Sequence, residues 1–323
     1  MKKYFDFYLT GRHLFPIWII LYIVFVIPYI ILIGMTESLK NDQVNLLASI
    51  VVFLFMILLI FIAAIWSYYF IRANYGGVVY NDKQVKCEYN FGEYMMIVVS
   101  GFLLTVITLG IYLPWYCTNL QKYFIDNSSY NGEKFSFMGN GKVLFIITLA
   151  SLILPLFLLT AFVATELKPE LYRFREMPVY RIIYQIIVYF VLIPNMYLTY
   201  KWIVNIKYKN YHIRWNTIFW PSAGKIAKEM FFSVITIGIY APLAVLKLYK
   251  YFMDRTEAKS TNAGGYRFGF EIVPKDDFLM LWGQILLSII TLGLYYPWAI
   301  CKISKRILNR TYLERDTETA QIN

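Results

Sequence analysis

The chain has 323 residues, 59% hydrophobic and 16% charged, with a mean hydropathy of +0.52 and a net charge of +11. A disordered chain is excluded, and so is a single soluble globule, which would need about 25% charged residues to cover its core. The basic excess comes with no DNA- or RNA-binding motif, so it points to anionic lipid headgroups rather than nucleic acid.

The predicted elements open with an alternating aromatic segment, Tyr4-Phe5-Asp6-Phe7-Tyr8, which reads as a strand. Residues 14–36 follow as the first charge-free stretch. It is too long for a signal core, and Met35-Thr36-Glu37-Ser38 offers no small-residue cleavage site, so it reads as a retained anchor. Further charge-free stretches span 43–71, 94–121, 143–165, 182–200, 230–246 and 278–301. About 20 apolar residues cross a bilayer core, which makes seven candidate spans, the sixth of them marginal. Short segments with period-2 aromatics lie between them, at 84–91, 130–137, 208–215 and 265–270. The 29 Tyr, 25 Phe and 8 Trp thus divide between interfacial belts and alternating strands.

A repeat runs through these elements. Thr108-Leu109-Gly110-Ile111-Tyr112-Leu113-Pro114-Trp115 recurs from Thr236 through Gly238, Tyr240 and Pro242 to Leu243. It recurs again from Thr291 through Gly293, Tyr295 and Pro297 to Trp298. A hydroxyl precedes each Thr by three residues (Thr105, Ser233, Ser288) and a lysine follows each Pro by eight (Lys122, Lys250, Lys305). Asp126, Asp254 or Asn309 lies twelve residues past each Pro. The unit is strand, apolar helix, T-x-G-x-Y-x-P turn, amphipathic helix, strand. Gly permits the tight bend, Pro starts the second helix and Thr can bond back to its own helix, so the motif reads as structural.

The T-[IL]-G-[IL]-Y-x-P-W motif, the basic helix that trails it and the Asn131-Gly132-Glu133-Lys134-Phe135-Ser136-Phe137 strand resemble the YjgN-like family of bacterial inner-membrane proteins, defined by a domain of unknown function. The resemblance covers residues 82–142 and 212–313, with Leu243 as a departure. It implies an inner-membrane location and brings no catalytic or ligand residue with it.

Charge decides between two topologies. If all seven stretches cross, Lys and Arg divide 16 to 15 between the two sides and set no orientation. If the three repeat units dip in and return, the division is 26 to 5. The positive-inside rule prefers the second version, with both termini cytoplasmic. The expected fold is an α-helical polytopic membrane protein. It has about four full transmembrane helices, three re-entrant or spanning repeat units and short aromatic β-segments at the cytoplasmic interface. The expected divisions are 1–81 (strand and first helix pair), 82–142 (repeat unit 1), 143–205 (second helix pair), 206–263 (repeat unit 2), 264–313 (repeat unit 3) and 314–323 (polar tail).

Chemistry is sparse. Cys87, Cys117 and Cys301 form no CxxC pair, and neither His13 nor His212 has a partner at ligand spacing, so no metal or cofactor is expected. No ionisable residue falls inside the stretches. Their polar exceptions are Gln185, Asn195 and Gln284, and no buried carboxylate is visible to carry protons. Gly139-Asn140-Gly141-Lys142 lacks the other residues of a phosphate loop and reads as a turn before a helix. Asp126 and Asp254 read as solvated partners of Lys122 and Lys250. Lys122, Lys247, Lys250, Lys302, Lys305 and Arg306, on the aromatic return helices, are candidate contacts to anionic phospholipid. No enzyme is expected. Two functions remain: a transport or permeation protein for a small solute, or a non-transporting component that organises anionic lipid or a partner protein.

Overall fold

The computed structural model describes residues 1–38, 46–166, 178–260 and 264–315. Strands are β1 (Lys3–Phe7), β2 (Val78–Tyr80), β3 (Lys83–Gln84), β4 (Lys86–Cys87), β5 (Ser128–Tyr130), β6 (Glu133–Phe137), β7 (Asn205–Tyr208), β8 (Tyr211–Trp215), β9 (Thr256–Ser260), β10 (Tyr266–Phe270) and β11 (Thr311–Arg315). They form one antiparallel sheet in the order β3-β2-β1-β11-β10-β9-β8-β7-β6-β5-β4. Its two edges, β3 and β4, are separated only by Val85. Lys83 and Gln84 pair with Tyr80 and Val79, while Lys86 and Cys87 pair with Ser129 and Ser128. One extended segment therefore serves both edges, and the sheet comes round into a barrel-like ring.

This overturns the expectation of an α-helical fold with short β-segments at an interface. An eleven-stranded sheet is the frame from which the helices depart. Its turns are chemically apt. Asn81-Asp82 and Asn131-Gly132 both hold two successive residues at positive φ, as a twisted two-residue hairpin requires.

The helices are α1 (Gly11–Ser38), α2 (Leu46–Gly76), α3 (Phe91–Ile107), α4 (Leu113–Asp126), α5 (Gly141–Thr148), α6 (Leu154–Glu166), α7 (Pro178–Val191), α8 (Ile193–Ile203), α9 (Phe219–Ile235), α10 (Ala241–Met253), α11 (Pro274–Ile290) and α12 (Tyr296–Leu308). A π-helical turn, Leu149–Ile153, joins α5 to α6 ahead of Pro155, which has no N–H to continue the α ladder. Chain order makes five strand–helices–strand units: β1 to β2 through α1 and α2, β4 to β5 through α3 and α4, β6 to β7 through α5–α8, β8 to β9 through α9 and α10, and β10 to β11 through α11 and α12. Phe7 pairs with Val78, Cys87 with Ser128, Phe137 with Ile206, Trp215 with Thr256 and Phe270 with Thr311, so all five helical excursions leave and rejoin the same rim. Around that rim α2 packs on α3, α4 on α5, α8 on α9, α10 on α11 and α12 on α1.

Beneath the rim sit five apolar clusters. They are built on Tyr89 with Tyr68 and Phe124, on Phe137 with Trp202, on Trp215 with Phe252, on Phe270 with Leu281, and on Phe7 with Cys301. Phe7, Phe137, Trp215 and Phe270 are the last residues of β1, β6, β8 and β10, and Tyr89 lies two residues past β4, so an aromatic marks the start of each helical excursion. Three helical segments among the described residues are long and apolar enough to cross a membrane: Ile50–Gly76, Gly141–Ala161 and Tyr184–Ile203. Asn195, in the last of these, donates its amide to Ser151 on the neighbouring π turn (3.2 Å). It therefore joins two helices.

Candidate functional site

The three T-x-G-x-Y-x-P segments build the same turn. Each Thr donates its hydroxyl to the carbonyl four residues back at 2.7 Å, Thr108 to Leu104, Thr236 to Phe232 and Thr291 to Leu287. The same oxygen accepts the N–H of Tyr112, Tyr240 or Tyr295 at 3.0 Å. Each glycine N–H reaches five residues back at 2.7 Å, to Thr105, Ser233 or Ser288. Gly110, Gly238 and Gly293 have φ between +83° and +91°. The residues before them, Leu109, Ile237 and Leu292, are also left-handed at φ +50°. That conformation is costly for a branched side chain, above all for Ile237. What it achieves is display. Leu109 is 94% exposed, Ile237 92% and Leu292 78%. Pro114, Pro242 and Pro297 lie in the first turn of the return helix, where a missing N–H costs nothing.

Inside the second and third hairpins the motif tyrosine forms a node between the two arms. Tyr240 donates to Glu229 Oε2 (2.7 Å) and accepts from Lys247 Nζ (2.7 Å). Tyr295 donates to Gln284 Oε1 (3.0 Å) and accepts from Lys302 (2.8 Å). Tyr112 takes the Asn119 amide at 3.5 Å, and Gly101 leaves the first arm open to Tyr116. Glu229 is 2% exposed and pairs with Lys225 at 2.6 Å. This corrects the expectation that no carboxylate is buried. A second buried carboxylate, Asp277, binds Arg306 and Arg310 at 2.9 Å and the Val273 N–H at 2.8 Å. Glu229 escaped notice because it lies one residue outside the charge-free stretch that begins at Met230. Aligning the repeats on Thr would have shown Gly101, Glu229 and Gln284 seven residues upstream.

The six basic residues expected to meet lipid fall into three groups. Lys122 and Lys305 are exposed. Lys247 and Lys302 sit on the motif tyrosines, as above. Lys250 bonds Asp254 and the Phe270 carbonyl (both 2.8 Å), and Arg306 is held by Asp277. Asp126 accepts the Phe137 N–H at 2.6 Å and Asp254 the Phe270 N–H at 3.1 Å, so each ties its hairpin to the next unit's strand. Of the two expected ion pairs, Lys250–Asp254 is present at 2.8 Å, while the Asp126 carboxylate is turned to the backbone.

The concave face of the sheet is aromatic. Phe5 contacts Phe268 across β11 (6.2 Å), Tyr80 contacts Tyr130 across β3 and β4 (6.0 Å), and Tyr211 contacts Tyr266 across β9 (5.5 Å). Rings on next-but-one strands meet only where a sheet curves toward them. Tyr130 donates to the Tyr80 carbonyl and Tyr208 to the Tyr130 carbonyl (2.8 and 2.9 Å). Burial raises the phenol pKa of Tyr80, Tyr130, Tyr208 and Tyr211, which keeps these groups as neutral donors. All of these rings are half-buried.

His212 lies on the opposite face. Its Nε2 meets Asn205 (2.8 Å) and its Nδ1 accepts from Arg214 Nε (2.9 Å). His13 bonds within its own turn, to Thr10. Cys87, Cys117 and Cys301 are free thiols. Among the described residues no group of three or more His, Cys, Asp or Glu side chains converges on a point.

A family model for a bacterial protein of unknown function (DUF898) matches residues 1–127 and 113–263. Over 55 residues the chain is 42% identical to the inner membrane protein YjgN of Salmonella typhimurium, and over 54 residues 43% identical to that of Escherichia coli K12. Each match takes in 17% of this chain and 14% of the relative, so the chain is aligned to a small part of those proteins. No solved structure matches.

Proposed function

The chain belongs to the DUF898 family of bacterial proteins of unknown function, and from that premise we propose that it is an inner-membrane permeation protein whose barrel is a vestibule for a small solute. The names of its relatives support the location. One observation carries the function: the two edges of the sheet share residues 83–87, so the strands close into a barrel-like ring with half-buried aromatic side chains on its concave face and all five helical excursions on one rim. A solute entering past Tyr80, Tyr130 and Tyr266 would meet phenol donors first and then the rings of Phe5 and Phe268. In this reading the barrel faces the cytoplasm, where the positive-inside rule puts the larger share of Lys and Arg. The three short hairpins enter and leave the same leaflet, with Leu109, Ile237 and Leu292 in the acyl region. No catalysis is assigned.

The test is flux through proteoliposomes. Tyr266→Cys at the vestibule mouth, labelled with a bulky maleimide, should abolish uptake of small labelled solutes that the unlabelled variant passes. Uptake that is absent for a broad solute panel, or unchanged by the label, refutes the vestibule.

A further inference from the structure

We propose that the flank of the second hairpin is a binding site for a phosphate group, with the headgroup of an anionic phospholipid as its source. A cavity of about 580 Å³ lies between α9 and α10. Its lining carries Lys225, Lys228, Lys247, Lys250 and Arg255 against two carboxylates, Glu229 and Asp254. Such an imbalance in one cavity calls for an anion.

The cations are held in place without being used up. Glu229 fixes Lys225, Tyr240 fixes Lys247, and Asp254 with the Phe270 carbonyl fixes Lys250. Arg255 lies over the Tyr251 ring, its Cζ 3.8 Å from the centroid, and bonds the Tyr251 carbonyl through one nitrogen. An ammonium has three donors and a guanidinium five, so every group keeps some free for a ligand. Lys228 is exposed beside them.

The other two hairpins lack this arrangement. The positions of Lys225 and Lys228 relative to the motif Thr are Ile97 and Ser100 in the first hairpin, and Met280 and Gly283 in the third. Only the second hairpin carries this cationic pair on its first arm.

Distance favours a lipid source. At 1.5 Å per helical residue, Lys228 and Lys225 lie about 12 and 16 Å above Thr236, and Lys247 and Lys250 about 9 and 14 Å above Ala241. Half a hydrocarbon core is about 15 Å. With the Ile237 tip near the bilayer midplane, the backbones of Lys225 and Lys250 reach about headgroup depth, and the long side chains of Lys228 and Lys247 must snorkel upward to join them. Phe231, Phe232 and Val245, all exposed, line the arms below as acyl-chain contacts. The assignment concerns the outer flank of one hairpin and does not need the vestibule, but its lipid source rests on the proposed placement of that hairpin in one leaflet.

The test uses the full chain in detergent, with native mass spectrometry as readout. Dioleoylphosphatidylglycerol, dioleoylphosphatidylcholine and inorganic phosphate are the probes. Lys228→Gln/Arg255→Gln removes two donors and leaves the Glu229–Tyr240–Lys247 chain intact. The double variant should bind phosphatidylglycerol about ten-fold more weakly than wild type. Lys134→Gln, on the barrel, should bind it normally, and phosphatidylcholine should bind weakly to all three. Inorganic phosphate that discriminates wild type from the double variant while phosphatidylglycerol does not keeps the site and overturns the lipid source. Equal binding of both anionic probes to wild type and double variant, with both proteins folded by circular dichroism, overturns the site.

Discussion

Replacing Lys225 by Met should destabilise the protein more than replacing its partner Glu229 by Gln. Lys225→Met leaves a carboxylate that is 2% exposed with Tyr240 as its remaining donor. Removing one partner from a buried pair costs about 3 kcal/mol or more. Glu229→Gln is different in kind. Its carbonyl can still accept from Tyr240, as Gln284 accepts from Tyr295 at 3.0 Å in the third hairpin. The released Lys225 has a side chain 29% exposed, so its ammonium can turn to water. That change should cost about 1 kcal/mol. The gap of about 2 kcal/mol corresponds to about 3 °C in Tm for a chain of this size. Thermal unfolding in detergent micelles, followed by circular dichroism, reads it directly. If Glu229→Gln melts at or below Lys225→Met, the carboxylate is not the group whose burial makes the pair obligatory, and the reasoning fails.

The glycines give a contrast in sign. A Cβ on Gly141 would come within 2.7 Å of the Trp115 ring, and one on Gly11 within 2.6 Å of the Trp298 backbone, whereas one on Gly224 meets nothing within 4 Å. Gly141→Ala and Gly11→Ala should each cost about 1–3 kcal/mol in the same melt, and Gly224→Ala should gain about 0.5–1 kcal/mol. Thr236→Val removes the hydroxyl that takes the Tyr240 N–H, and should cost about 1 kcal/mol, as should Thr108→Val and Thr291→Val. Equal stability of all three variants to wild type would remove the motif Thr from the turn's support. His212 has its pKa lowered by burial first, then by Arg214 and Lys207. Below the unfolded value of 6.5 the unfolded chain binds the proton more readily. The His212 contribution is therefore present above pH 6.5 and lost as pH falls through the lower folded value. NMR of ring-labelled His212 should show a neutral imidazole at pH 6.5, and His212→Gln should flatten the acid side of the stability profile.

The hairpin turn was legible because its parts are local. Gly, Pro and Thr act within eight residues, and three copies announce the register. Glu229 was legible only in the repeat alignment, since a scan for uncharged stretches ends at the first carboxylate whether or not that carboxylate is paired. The barrel was hidden for a different reason. Several strands could be recognised from alternation, among them 84–91, but pairing is non-local, and nothing local shows that the segment 83–87 is split between two edges. Its pairing with both Tyr80 and Ser129 depends on partners 3 and 43 residues away. Charge counting pointed to hairpins that return to one side, and the pairing of Trp215 with Thr256 and Phe270 with Thr311 brings both ends of a hairpin to one rim.

Leu243, the one departure from the motif, shows how neighbouring units constrain each other. Trp115 packs on Gly141 and Trp298 on Gly11, close enough that neither glycine tolerates a Cβ. Each glycine lies four residues past the rim aromatic of its own strand, Phe137 or Phe7. The same offset from Phe270 gives Pro274, the first residue of α11. By that correspondence a pyrrolidine ring would take the space that Gly leaves for an indole, and a residue smaller than Trp, Leu243, stands at the matching position. Leu243→Trp alone should therefore overpack that junction and cost about 1–3 kcal/mol. Pro274→Gly alone should leave a gap and free the start of α11, which also destabilises. Together the two changes recreate the pairing of the other junctions, and the double variant should be more stable than the sum of the single losses by about 1 kcal/mol or more. Thermal melts of the four proteins in the cycle give the coupling. Strict additivity would mean that the motif's eighth position answers to its own hairpin rather than to the unit that follows it.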